Sequence, residues 1–262
     1  MLRNIFFTLV ALFLGAPLVV IAGVSFNAQN RLSFPPQGWA WRWYQAFWQD
    51  PQWLRPAASS LTIAALAALL ALSIALPLAY VTWRYRFGYA RFLYGLGLAP
   101  FALPPVITAL GLLTLWIALG VYGRPFTVVA SHGVFLVTLP LATITLGLQA
   151  IDKEILEAAT TMGATKGQVF RSVIVPLIRP YLIAGYLFAF VLSLNEYIIA
   201  FMTVGFTVET LPMRIFNSLR YGYTPIMAVV SVLFFLGSAL IFSLVGIFGD
   251  LPKLLGAYSS RD

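Results

Sequence analysis

The chain contains no cysteine and a single histidine, His132. Disulfides, thiolate metal centres and cysteine nucleophiles are excluded, and one imidazole cannot build a histidine metal site by itself. Charge is scarce too. Only 9% of the residues are charged, where a soluble domain carries about 25%. No G-x-x-x-x-G-K-[ST] phosphate-binding loop occurs, and no Gly-Lys pair exists anywhere in the chain. Neither a serine nucleophile elbow nor a metalloprotease signature is present. No catalytic residue, cofactor or metal is expected.

Apolar side chains fill the gap. They make up 61% of the 262 residues, against about 45–50% in soluble domains. An excess of this size points to lipid as the solvent. About 20 apolar residues cross the hydrocarbon core as a helix. Six such stretches fit, at about 5–24, 59–83, 92–119, 127–148, 180–203 and 225–249. The expected fold is all-α, one transmembrane domain over residues 1–262. Arg3 ahead of the first stretch resembles a signal peptide's charged start. A signal peptide's apolar region is only about 7–15 residues long, however, so the stretch reads as a retained span.

Prolines interrupt this pattern. Pro100, Pro104 and Pro105 fall in the third stretch and Pro140 in the fourth. Proline removes a helix hydrogen bond and clashes with the preceding turn, so the third span should kink or break. Between the first two spans lie Trp39, Trp41, Trp43, Trp48 and Trp53, five of the seven tryptophans. Trp41, Tyr44 and Trp48 recur at helical spacing, which suggests a short helix at the membrane interface.

The net charge of +8 would also fit a nucleic-acid binder. The distribution of charge argues for topology instead. With six spans, ten of the sixteen Lys and Arg residues fall on the side of the termini, including Arg84, Arg86, Arg91, Lys153, Lys166, Lys253 and Arg261. The positive-inside rule then puts both termini in the cytoplasm. No nucleic-acid partner is expected.

Two polar features stand out. The first is the segment 149–179, which reads as two short helices joined by a turn. Asp152 can cap the first helix, Gly163 suits the left-handed position past its end, and Thr165 with Gln168 forms a capping-box pattern for the second. Pro176 is expected to end that second helix. Ile155, Ala158, Ala159 and Met162 share one face, which could either dock a partner or pack on the bundle. The second feature is Glu196 in the fifth stretch, flanked by Ser193 and Asn195. An acid at the bilayer centre is costly and defaults to a functional reading. Glu196 could attract a cationic solute in a translocation path or bond to a partner subunit across a helix interface. His132, near the outer end of the fourth stretch, reads as a satisfied structural histidine. Glu209 and Arg214 are either contacts for a substrate-binding protein or solvated loop charges.

Glu157-Ala158-Ala159, then Gly163, then Val173 to Val175-Pro176, resemble the EAA loop of the membrane subunits of ATP-binding-cassette importers. The likeness runs from Trp43-Tyr44 to the tail. Ser193–Tyr197, Thr210-Leu211-Pro212 and Arg220-Tyr221-Gly222 with Pro225 bring it nearest to the second permease of spermidine/putrescine-type importers. The resemblance implies a type I importer permease fold with no ATPase activity of its own. In the family the loop is a coupling helix, so Glu157, Ala158, Ala159 and Gly163 would grip the ATPase. It further implies a bacterial inner-membrane location and four partners. These are a cytoplasmic ATP-binding subunit dimer, a second permease that is a paralogue, a periplasmic solute-binding protein and membrane lipid. Ser193, Asn195 and Glu196 would border the path of a small polar or cationic solute, polyamine-like or another organic amine. Relatives tend to carry two acids there, and Asn195 stands in place of the first. The alternative is a stand-alone channel or ion-coupled transporter that uses Glu196.

Overall fold

The structure is a computed structural model that describes residues 2–85, 87–221 and 224–248. Arg86, Gly222, Gly249, Lys253 and Arg261 lie outside the described residues, as does part of the Arg220-Tyr221-Gly222 motif. The described residues are helical, apart from loops and one isolated bridge between Asn27 and Trp39.

In chain order the helices are α1 (Leu2–Ser25), α2 (Arg42–Gln49), α3 (Pro51–Tyr85), α4 (Gly88–Ala102), α5 (Pro105–Ala118), α6 (Pro125–Phe135) and α7 (Thr138–Gln149). There follow α8 (Lys153–Thr161), α9 (Lys166–Val169), a π-turn (Phe170–Ile174), α10 (Val175–Asn195), α11 (Ile198–Val204), α12 (Leu211–Tyr221) and α13 (Pro225–Phe248). Four unbroken helical runs are long and apolar enough to span a membrane: Arg3–Ser25, Pro51–Tyr85, Lys166–Asn195 and Pro225–Ser243. Two bent pairs raise the number to six if each is one span. α4 and α5 meet at 113° and α6 and α7 at 42°. The first break falls between Ala102 and Pro105, as the prolines there foretell. The second falls at Leu136–Val137, ahead of Pro140.

Two compact units form. Among the described residues, 2–58 and 209–240 make one, 59–208 and 241–248 the other. In the first unit Phe47 and Trp53 pack with Leu211, Met227, Val229 and Val230. This holds α2 by its apolar face and leaves Trp41 and Trp48 exposed at 67% and 64%. Asn27 is fully buried and organises the preceding loop. Its Oδ1 accepts from the amides of Gln29 and Gln37, and its Nδ2 donates to Arg31 O at 3.1 Å and Ser33 Oγ at 2.8 Å.

The second unit is centred on α3, α7 and α10. Buried Ala64, Ala67, Ala68, Ala71, Ala75 and Ala79 recur at helical spacing along α3. Small residues let helices approach closely where lipid offers no hydrophobic drive between them. The tightest approach is α7 on α10. A Cβ on Gly185 would lie 2.7 Å from Pro140 Cα, and one on Gly147 would lie 2.6 Å from Tyr181 Cδ2.

The fifth span departs from expectation at both ends. The helix that carries it starts well before Pro180, in a continuous run of 30 residues from Lys166 to Asn195. Nor does Pro176 end a helix. The π-turn just before α10 absorbs it, one of the local adjustments by which membrane helices re-satisfy backbone groups around proline. At the other end the helix stops at Asn195 and resumes at Ile198.

Candidate functional site

The loop between α7 and the long α10 run holds α8, none of whose residues is buried. Asp152 occupies the N-cap position with extended backbone, but its side chain makes no capping bond there. Glu154 sits in the first turn, where its charge complements the helix dipole. Gly163 has φ +85°, and nothing within 4 Å would meet a Cβ there. The left-handed conformation, not crowding, is what demands glycine. Its N–H donates to Thr160 O at 3.0 Å and that of Ala164 to Ala159 O at 3.1 Å, so the end of α8 is closed by backbone bonds. The capping box of α9 is present in both directions. The Thr165 amide donates to Gln168 Oε1 at 2.8 Å, and the Gln168 amide donates to Thr165 Oγ1.

The apolar face expected on α8 divides in two. Leu156 and Ala159 pack against the core that contains Ala75, Ala79, Leu148 and Val169. Ala158 is exposed, as are Ile155 at 43% and Met162 at 87%. Glu157 is exposed and borders a cavity of about 720 Å³ with Tyr80, Trp83, Arg84, Lys153 and Lys166.

The break in the fifth span forms the second constellation. Glu196 has extended backbone, with φ −78° and ψ 126°. Its carboxylate folds over the start of α11, where Oε1 accepts from the Ile199 amide at 2.9 Å and Oε2 from the Ala200 amide at 3.0 Å. His132 Nε2 lies 3.1 Å from Oε2, a close ion-pair contact whose angle falls short of a well-formed hydrogen bond. On the other side of the ring, Nδ1 lies 2.7 Å from Ser193 Oγ, with the direction of donation set by the tautomer. The side chains of His132 and Glu196 are only 1% and 9% exposed. Asn195 is exposed, and its Nδ2 donates to Val191 O at 2.8 Å. Sequence alone offered Glu196 a solute or a partner subunit. The fold supplies a third partner from its own chain. His132 sits near the bend between α6 and α7, with Nδ1 bonded to Ser193 and Nε2 facing Glu196. The clue available in the sequence was that a lone histidine and a lone acid, each in an apolar stretch, tend to pair within a membrane.

α6 carries two more polar ties. Thr127 Oγ1 shares its proton between Arg124 O at 2.7 Å and Thr203 O at 3.0 Å, and Trp116 Nε1 donates to Ser131 Oγ at 2.8 Å. In the first unit, Arg214 contacts Glu209 at 3.9 Å, lies 5.5 Å above the Trp53 ring and donates to Gln52. Glu209 also accepts from Asn217 at 3.2 Å. Both charges are therefore drawn into contacts within the chain.

Broken spans, closely packed small residues and an amphipathic helix packed on the bundle by one face describe a helical membrane protein. Residues 71–251 match the family model described as binding-protein-dependent transport system inner membrane component, and the chain belongs to that family. It is a multi-pass inner-membrane permease subunit of an ABC importer. It is 30% identical over 243 residues to the spermidine/putrescine transport system permease protein PotC of Haemophilus influenzae, covering 92% of this chain and 93% of that one. Against the putrescine transport system permease protein PotI of Escherichia coli K12 it is 37% identical over 222 residues, covering 81% and 78%. A solved bacterial ABC transporter involved in the import of alginate superposes with TM-score 0.71 at 17% identity, covering 95% of each chain, a likeness of fold.

Proposed function

We propose that this chain forms one half of the translocation path for a small organic amine. A second, paralogous permease supplies the other half. A periplasmic binding protein delivers the solute, and a pair of cytoplasmic ATP-binding subunits drives the cycle. Both termini and the 150–165 loop lie in the cytoplasm, in keeping with the basic residues gathered there. The observation that carries the coupling role is the exposed Ile155, Ala158 and Met162 face of α8, an apolar surface on a helix already anchored by Leu156 and Ala159. Glu157 and Ala158 form the grip for the ATPase, with Ala159 holding α8 on the bundle and Gly163 setting the turn that presents it.

The path runs beside the break at 195–197. A break in a spanning helix is tolerated where protein or a water-filled cavity covers the freed backbone. Asn195 offers an exposed polar group there, with Ser193 and Glu196 behind it. The amine class is supported by the two relatives named for polyamines. Asn195 in place of a second acid favours a solute of low positive charge. Two measurements test the proposal. Altering Glu157 and Gly163 together should abolish co-purification with the ATP-binding subunit, and retained assembly with full ATPase coupling would overturn the grip. Uptake by Glu196→Gln at matched expression should fall, and unchanged uptake would remove Glu196 from the path.

A further inference from the structure

We infer that His132 is a positioning residue for translocation. It fastens the bend of the fourth span to the break of the fifth, so that the two rearrange as one piece when the path opens. The inference rests on the reading that the 195–197 break borders the path.

His132 touches both sides of that break. Through Nδ1 it meets Ser193, on the last turn of α10, at 2.7 Å. Through Nε2 it meets Glu196, just ahead of α11, at 3.1 Å. One ring therefore bridges three helices: its own α6, then α10 and α11. The Thr127–Thr203 bond ties α6 to α11 a second time. α6 and α11 are thus joined at two places, and α10 is joined to them through Ser193. The discontinuities lie next to this clamp, the 42° bend a few residues past His132 and the helix break at Glu196 itself. Hinges are a few element-terminal residues that absorb the change in backbone angles.

Glu196 has little capacity left for a solute. An ionised carboxylate offers about four acceptor sites, and here two are taken by backbone amides while the His132 ring, 3.1 Å away, shields a third side. Its main work is to hold the break in shape, and His132 fixes its orientation. A buried acid and imidazole within an apolar bundle also hold each other in place, since removing one strands the other. The pair therefore favours one discrete arrangement over a range of intermediate ones.

Conservative variants dissect the clamp in the complete complex, reconstituted in proteoliposomes. Glutamine places its amide nitrogen near the position of Nε2 and asparagine near that of Nδ1. His132→Gln should keep the Glu196 contact and most of the transport. His132→Asn should keep only the Ser193 contact and lower Vmax about tenfold with KM little changed, the rate equivalent of one lost buried charge-assisted contact. The chain has no cysteine, so Val134→Cys and Leu192→Cys, at positions 45% and 41% exposed, accept spin labels selectively when the other subunits are cysteine-free. In the parent, the inter-label distance should be narrow and should stay the same on ATP addition, because both labels ride on the clamped piece. In His132→Asn the distribution should broaden. If His132→Asn does not assemble, Ser193→Ala makes the same comparison by removing only the Nδ1 contact. A rise in KM at unchanged Vmax, a parent distance that shifts on ATP addition, or a His132→Asn distribution as narrow as the parent's would overturn the inference. The distance is read with ATP alone, so it stands or falls apart from the identity of the solute.

Discussion

His132 Nε2 stands 3.1 Å from Glu196 Oε2, and each residue lies within a few positions of a helix discontinuity. The two ionisable groups are buried in stretches that are otherwise apolar. Each lies against the other away from lipid, as ionisable groups in membrane bundles do.

Glu196 also caps α11, and this separates Glu196→Ala from Glu196→Gln. Alanine strands the Ile199 and Ala200 amides along with His132, while glutamine keeps one carbonyl acceptor. Stranding buried donors costs about 1–3 kcal/mol. Thermal unfolding of the detergent-solubilised complex should show the alanine variant clearly less stable than the glutamine variant. Equal stabilities would remove the capping role.

The break itself was not legible in the sequence. The segment Ser193-Leu194-Asn195-Glu196 contains no proline or glycine, so nothing local marks an interruption. Tertiary pairing makes it, with His132 drawing the carboxylate inward while the same carboxylate caps a new helix. The opposite error occurred at Pro176, where a local breaker is absorbed by a π-turn and the helix runs on. Features written in local chemistry were legible. The proline break between α4 and α5 was one, the glycine turn at Gly163 another, and the Thr165–Gln168 capping box a third. Apolar length pointed to the long helices, whereas the division of the α8 face between Ile155, Ala158 and Met162 outside and Leu156 and Ala159 inside required the fold.

Gly163 is held by conformation alone. Gly163→Ala meets no neighbour but places a Cβ on backbone at φ +85°, at a cost of about 1–2 kcal/mol. Isolated permease should fold as before, and ATPase activity coupled to uptake should fall. Preserved coupling would show that the turn geometry does not matter.

On α8, Met162→Asp and Ile155→Asp change exposed side chains, 87% and 43% accessible, that no core contact needs. Changes at such exposed sites usually stay within about 0.5 kcal/mol. The permease should keep its thermal stability yet lose the ATP-binding subunit on size-exclusion chromatography. Loss of stability instead would mean that this face packs on the bundle.

Gly185 makes the opposite test, because its environment has no room. A Cβ there would lie 2.5 Å from Thr143 Oγ1 and 2.7 Å from Pro140 Cα. Overpacking costs about 1–3 kcal/mol, so Gly185→Leu should lower the unfolding temperature and the yield of assembled complex. A leucine variant as stable as the parent would contradict the close approach of α7 and α10.

The central claim is that this subunit moves a small organic amine under ATP drive. The most direct measurement is uptake of labelled putrescine into proteoliposomes that contain both permeases and the ATP-binding subunits, with binding protein outside. Uptake should require ATP inside and binding protein outside, and should survive collapse of ion gradients. Uptake that proceeds without ATP and follows an ion gradient would contradict the claim and mark the chain as an ion-coupled carrier.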